Sequence, residues 1–309
     1  MQLRKNIFPG KRDDDKKNIL KPGSIMDLAT TDIVTIPPTS TIMSALKTMV
    51  TYGFRRLPIA DPGTRRLEGI ITGTDIINFF GGGDKHKIVE ERYDGNLLAA
   101  VNEEVREIME RNVVSVDFTS SWQDAVEILL ENRVGGCPIV DRDNGIVGIV
   151  TERDILEFLA SQSKFDGYVM DYMTKGVITA EPNTTIEEAM KLMISKKIRR
   201  LPVIKDGVFV GLITSTTLLR YFGTGEAFRN IITGNVRDVL EKPLAVVLSS
   251  DSVIEYKEPL VFPPDAKISD VAKQMIDKNH GGALILQDGK LEGIITERDL
   301  VKFLYSVKR

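Results

Sequence analysis

The chain has 309 residues, 42% of them hydrophobic, and its 41 Lys and Arg against 44 Asp and Glu leave a net charge of −3. That is the make-up of a soluble globular protein of more than one domain, with no global field to recruit nucleic acid or an anionic membrane. One cysteine, Cys137, and two histidines, His86 and His280, exclude an intramolecular disulfide and a Cys/His zinc site.

No apolar run approaches the roughly 20 residues that cross a bilayer, and the charged start lacks the apolar core of a signal peptide, so the expected compartment is the cytoplasm. Residues 1–22 are polar and charged and read as a flexible tail. From residue 23 onward one unit recurs four times: strand, amphipathic helix, two strands, second helix. The copies span 23–80, 105–160, 167–223 and 235–307. A linker at 81–104 opens with Gly81-Gly82-Gly83, and the fourth copy carries an insertion near 241–258.

The first strands are Val34-Thr35-Ile36, Val114-Ser115-Val116, Ile178-Thr179-Ala180 and Leu260-Val261-Phe262. Each leads to a helix with apolar residues at i, i+3, i+4, i+7 and i+8, one buried face, as in Ile42, Ala45, Leu46, Met49 and Val50. Trp122 opens the equivalent face of the second copy and reads as packing. The next strands contain Leu57-Pro58-Ile59, Cys137-Pro138-Ile139, Leu201-Pro202-Val203 and Ala283-Leu284-Ile285, where proline predicts a strand end or an edge. Cys137 reads as a small buried hydrophobe.

Just before these strands, copies one and three carry Arg55-Arg56 and Arg199-Arg200, while copies two and four carry Gly135-Gly136 and Gly281-Gly282. A duplicated pair of repeats explains that alternation most simply. The third strand then runs into a turn: Gly69-Ile70-Ile71-Thr72-Gly73-Thr74-Asp75, Gly148-Ile149-Val150-Thr151-Glu152-Arg153-Asp154, Gly211-Leu212-Ile213-Thr214-Ser215-Thr216-Thr217 and Gly293-Ile294-Ile295-Thr296-Glu297-Arg298-Asp299. Units this small bury too little surface alone, so four of them imply two pairs joined through sheets or helices.

The Gly-aliphatic-aliphatic-Thr-x-x-Asp turn, the Arg-Arg-Leu-Pro strand start and the repeat count together resemble CBS domains, over nearly the whole chain after the tail. The four-copy arrangement looks like the gamma subunits of AMP-activated protein kinases and their stand-alone archaeal relatives. The resemblance implies an α/β (α+β) fold of four CBS repeats in two paired modules, a flat disc with ligand clefts between paired domains. It also implies adenine nucleotides, AMP, ADP or ATP, as ligands, with no redox cofactor, and a monomeric disc or homodimer acting on a regulated protein partner.

Thr-x-x-Asp needs no ligand to be explained, because Thr72, Thr151 and Thr296 cap a helix and the acid three residues on completes a capping box. The same geometry leaves helix N–H groups and a carboxylate able to accept from two vicinal ribose hydroxyls. By resemblance, Asp75, Asp154 and Asp299 are the ribose-binding candidates, with Thr74 beside the first. Thr214 and Thr217 hold the corresponding places in copy three, where the missing aspartate predicts an empty or weak site.

Guanidinium forks match phosphate oxygens, and Arg55, Arg56, Arg199 and Arg200 stand where the resembling kinase subunit carries its phosphate contacts. Strand alternation predicts that one arginine of each pair reaches a cleft, the alternative being a solvated strand end. Arg153 and Arg298 either reach phosphate or pair outside with Glu152 and Glu297. His280 aligns near Arg133 or Ile198, as a phosphate contact or as polar surface. The resemblance places Thr35, Ser115, Thr179 and Val261 at the base end of the clefts, with Pro58, Pro138 and Pro202 close by.

No Walker loop, nucleophile elbow, Cys/His pair or metal cluster appears, so no enzymatic activity and no metal are expected. Gly81-Gly82-Gly83 lacks the Gly-Lys-Ser/Thr ending of a phosphate loop. Alternatives to the nucleotide sensor are a regulator of another adenosyl ligand, S-adenosylmethionine or NAD, and a scaffold that binds a protein without nucleotide. Few aromatics and the near-neutral charge argue against an RNA partner.

Overall fold

A computed structural model describes residues 23–162, 166–232, 236–254 and 258–308. The tail at 1–22 lies outside the described residues. Among the described residues ten strands form four small sheets, in chain order β1 (Arg56–Ala60), β2 (Leu67–Thr72), β3 (Val116–Asp117), β4 (Gly136–Val140), β5 (Ile146–Thr151), β6 (Arg200–Lys205), β7 (Val208–Thr214), β8 (Leu260–Phe262), β9 (Gly282–Gln287) and β10 (Lys290–Thr296). In every repeat the last two strands are an antiparallel hairpin, and the first strand joins it in parallel. In repeats one and three that first strand shrinks to a single parallel bridge, Ile36 to Ile59 and Ala180 to Val203.

The amphipathic helices are Ile42–Tyr52, Trp122–Glu131, Ile186–Ser195 and Ile268–Asp277. Thr41, Ser121 and Thr185 cap the first three, and such caps contribute about 1 kcal/mol each. Their buried faces follow the sequence pattern, for example Ile42, Ala45, Leu46 and Met49, all at most 1% exposed. Burial at that level stabilises by roughly 1.5–3 kcal/mol for each large side chain. Trp122 is 7% exposed and packs on Phe158 and Tyr305.

Prolines 58, 138 and 202 sit inside strands rather than at their ends, and Pro138 lies in the central strand of its sheet. The reason is local. The first parallel bond in repeats one and three runs from Ile36 N–H to the Pro58 carbonyl and from Ala180 N–H to the Pro202 carbonyl. The proline nitrogen thus faces the parallel neighbour before that ladder begins, where no donor is required.

The repeats exchange their leading segments. Ile25 N–H donates to Ser120 O and Thr30 bridges Ile149, so the start of repeat one packs on repeat two, while Ile42 N–H donates to Glu103 O and Ile70 bridges Glu110. Repeats three and four trade in the same way through Thr174 with Ile294 and Thr185 with Pro243. Helices make the other connections. Ser215–Gly223 packs on Ile42–Tyr52 and Gly73–Ile77, and Glu152–Gln162 packs on Glu297–Lys308. One apolar core therefore spans repeats one and three and a second spans two and four. Sheet contacts in one direction and helix contacts in the other close a ring of four.

The triple glycine is packed rather than loose. Gly81 has φ +143°, and a Cβ on Gly82 would stand 2.9 Å from Ile194 Cγ1 and 3.2 Å from the Met190 carbonyl. The stretch after it forms helices Lys87–Tyr93 and Leu97–Ala100, with Val89, Leu97, Ala100 and Val101 in the core. In the fourth repeat, helices Leu244–Leu248 and Asp251–Ile254 occupy the insertion.

Candidate functional site

Four equivalent positions converge on the middle of the ring. In each repeat the residue opening the central strand pairs with the motif threonine: Arg56 with Thr72, Gly136 with Thr151, Arg200 with Thr214 and Gly282 with Thr296. The residue before it accepts the first helical N–H, from Gly73 to Arg55, Glu152 to Gly135, Ser215 to Arg199 and Glu297 to Gly281. The arginine pairs and the glycine pairs are thus the same structural position. Space decides which residue stands where. A Cβ on Gly135 would lie 2.9 Å from Arg56 Nη2 and one on Gly281 2.3 Å from Arg200 Nη2. Glycine in repeats two and four is the room that arginine from one and three fills.

All four of these arginines line one continuous cavity of about 720 Å³. This corrects the expectation that one of each pair would turn away. Arg55 and Arg199 precede β1 and β6, so the pleat that alternates side chains does not govern them. Arg133, Thr72, Thr74, Thr214, Thr217, His280, Thr296 and Arg298 complete the predicted residues on this wall.

Arg153 and Arg298 do not pair outside with their own neighbours. Arg153 Nε donates to Glu297 at 2.7 Å and Arg298 Nε to Glu152 at 2.6 Å, each crossing between repeats two and four. Arg153 also donates to the carbonyls of Met275 and His280, and Arg298 to that of Arg133. With those donors committed, the two arginines tie the ring together. Glu152 and Glu297 are each 4% exposed; burial alone would raise the Glu297 pKa, but Arg55 and Arg153 outweigh it and hold the carboxyl below the usual range.

The centre carries a surplus of positive charge, because six guanidiniums crowd two carboxylates. Burial, aided by Arg199, pulls Arg56 down to about 10. Burial, aided by Arg55 and Arg199, does the same to Arg200, and burial lowers Arg199. Buried Arg56 Nη1 has no hydrogen-bond partner. Leaving such a donor unpaired costs about 1–3 kcal/mol or more.

The amphipathic helices add side chains to the same wall. A left-handed residue follows each helix: Gly53 directly after the first, then Arg133, Lys197 and Asn279, each two positions past its helix and each with φ +54°. Non-glycine residues adopt that conformation at a cost of roughly 1–2 kcal/mol, and all three line the cavity. His280 follows Asn279 and is equivalent to Val134 and Ile198, since the three make the same bond back to the helix, to Met275, Leu129 and Met193.

The threonine caps form as the motif predicts. Thr72, Thr151 and Thr296 each donate from backbone and hydroxyl to Oδ2 of Asp75, Asp154 and Asp299. Thr217 substitutes a hydroxyl that accepts from Thr214 N–H at 2.6 Å and donates to Thr214 O at 2.7 Å. Asp75 differs from Asp299, because Lys85 Nζ sits on its Oδ1.

Thr35, Thr179 and Val261 are exposed and away from the cavity, as is half-buried Ser115, and Pro58, Pro138 and Pro202 are buried in their sheets. Residues slightly upstream line it instead: Val113 and Val114, Val177 and Ile178, and Pro259. These stretches lead into the parallel bridges and carry no motif of their own. Glu152 and Glu297 had a signal, since Glu-Arg inside the turn occurs only in repeats two and four. Buried Cys137 is pushed up to about 12 by desolvation despite Arg56.

A ring of four α/β repeats around a cationic, threonine-rimmed cavity defines a regulatory class of protein. The chain belongs to the CBS-domain family: residues 25–82, 105–161, 169–224 and 236–306 match the CBS domain. It is 37% identical over 272 residues to uncharacterized protein MJ1225 of Methanocaldococcus jannaschii, covering 88% of this chain and 95% of that protein. The crystal structure of MJ1225, described as a candidate archaeal homologue of γ-AMPK, superposes with a TM-score of 0.85 at 35% identity, covering 91% of this chain and 99% of that one. A 33.4 kDa protein in a ribosomal RNA operon of Thermofilum pendens is 28% identical over 277 residues, 89% of each chain. Among the described residues no helix is long and apolar enough to cross a membrane.

Proposed function

We propose that this protein is a non-catalytic sensor of adenine nucleotides, binding AMP, ADP or ATP with the phosphates at the centre of the ring. The observation that carries this reading is the crowd of arginines, Arg55, Arg56, Arg199 and Arg200, on the wall of one cavity. Aliphatic residues such as Val113, Val114, Val177 and Ile178 supply flat apolar walls for a purine, and threonine-capped helix starts flank the path between purine and phosphate. A volume of about 720 Å³ falls within the usual range for small-molecule sites, roughly 300–1,000 Å³.

Because the cavity is continuous, phosphates entering from different clefts meet the same arginines, and nucleotides of different charge compete for them. Their differential affinity for alternative arrangements of the ring transmits the signal to a protein partner. The cationic centre disfavours S-adenosylmethionine, whose sulfonium adds a positive charge where six guanidiniums already stand.

The test is a calorimetric titration of nucleotide-stripped protein with AMP, ADP, ATP, S-adenosylmethionine and NAD. Saturable binding led by the phosphorylated adenosines supports the reading. Silence from all five leaves the scaffold role.

A further inference from the structure

Repeat one holds its own cation on Asp75, the residue that the nucleotide reading assigns to the sugar. Lys85 comes ten residues after Asp75, brought back by a chain reversal that Gly81 makes at φ +143°. Its backbone N–H donates to Asn78 Oδ1 at 2.9 Å, and His86 Nδ1 lies 2.8 Å from the Phe79 carbonyl, so the reversal is pinned on both sides of the lysine. The ammonium then bonds Asp75 Oδ1 and the Ile108 carbonyl.

Those two acceptors belong to different repeats. Asp75 is on the motif turn of repeat one, and Ile108 is two residues before Glu110, which bridges Ile70 from the leading segment of repeat two. Asp75 Oδ2 is already taken by the Thr72 backbone and hydroxyl, at 2.7 and 2.6 Å. Both oxygens of the carboxylate are therefore engaged inside the chain. In repeat four, Asp299 spends Oδ2 on Thr296 in the same way, and among the described residues no cation stands on its Oδ1. The pair is 27% and 18% exposed at its side chains, shielded enough to keep more of its strength than a surface ion pair.

We infer that Lys85 is a built-in occupant of the repeat-one sugar position, holding the Asp75 oxygen that a ribose diol needs and tying the motif turn of repeat one to the leading segment of repeat two. This inference rests on the nucleotide reading above and adds which sugar position is taken and by which side chain. Repeat one accepts a nucleoside phosphate at Asp75 only when Lys85 releases that oxygen. The triple glycine gains a reason, because the lysine reaches back only through that tight reversal.

The test is calorimetric titration with AMP of the full chain and of Lys85→Ala, Lys85→Gln, Lys85→Arg, Asp75→Asn and Lys85→Ala/Asp75→Asn, each checked for a cooperative melting transition. Lys85→Ala and Lys85→Gln gain one AMP site over the parent, Lys85→Arg keeps the parent count, and the double variant loses the gained site. Equal counts in the parent and both neutral variants overturn the inference, as does loss of a site from the parent on Asp75→Asn alone. Absence of AMP binding by the parent and every variant overturns the nucleotide reading itself and this inference with it, whereas parent binding with no gain overturns this inference alone.

Discussion

Arg56 of repeat one lies so close over Gly136 of repeat two that a Cβ at 136 would stand 1.8 Å from its Nη1. Gly136 also has φ +154°, which L side chains rarely adopt. The glycine is therefore required twice, by its own backbone and by the arginine that crosses it. Gly136→Ala should destabilise by roughly 2 kcal/mol or more and weaken AMP binding by displacing Arg56. A thermal melt and an AMP titration check this; a variant with parental stability and affinity would contradict it.

Lys197 holds a left-handed conformation at φ +54° to put its side chain on the cavity wall. Replacing it with glycine relieves the strain but loosens the unfolded chain, a net gain of about 0.5 kcal/mol. Lys197→Gly should thus be slightly more stable in denaturant and bind AMP less tightly. Loss of both stability and affinity would assign the residue to structure alone.

Arg56 and Arg200, each lowered to about 10 by burial first and neighbouring arginines second, are charges the ring tolerates at a cost. Inorganic phosphate should raise the melting temperature of the parent. Arg56→Gln/Arg200→Gln should melt at least as high as the parent without phosphate and respond far less when it is added.

Glu297 works in the opposite direction. Burial raises its pKa, but Arg55, Arg153 and Arg200 together pull it below the ordinary value. A carboxyl depressed in the folded state contributes stability above its unfolded pKa of about 4.3, and that contribution disappears as pH falls through the depressed folded value. Melting temperature should fall on the acid side below about pH 4.3. Glu297→Gln should melt lower at neutral pH and show a shallower acid slope.

The repeats, the amphipathic faces and the threonine-capped turns were legible in the sequence because each is local, a period of 3.6 or a spacing of three residues. Arg55, Arg56, Arg199 and Arg200 were legible as candidates, but their joint presence in one cavity was not. It depends on where the strands begin and on glycines from other repeats. The reciprocal pairs Arg153–Glu297 and Arg298–Glu152 were hidden for the same reason, since their partners lie 144 and 146 residues apart. Thr35, Thr179 and Val261 were placed too far along the first strands because nothing in the sequence marks where the parallel ladder starts. Lys85 read as linker because its partner Asp75 is reached only by folding back through Gly81.

The central claim is that the arginines at the middle of the ring hold the phosphate of an adenosine ligand. Parallel calorimetric titrations of the stripped protein with AMP and with adenosine test it most directly, because the two differ only in that group. The account predicts that AMP binds at least tenfold more tightly, a difference of about 1.4 kcal/mol, and that the gap closes in Arg56→Gln/Arg200→Gln. Equal affinities for AMP and adenosine in the parent would contradict it.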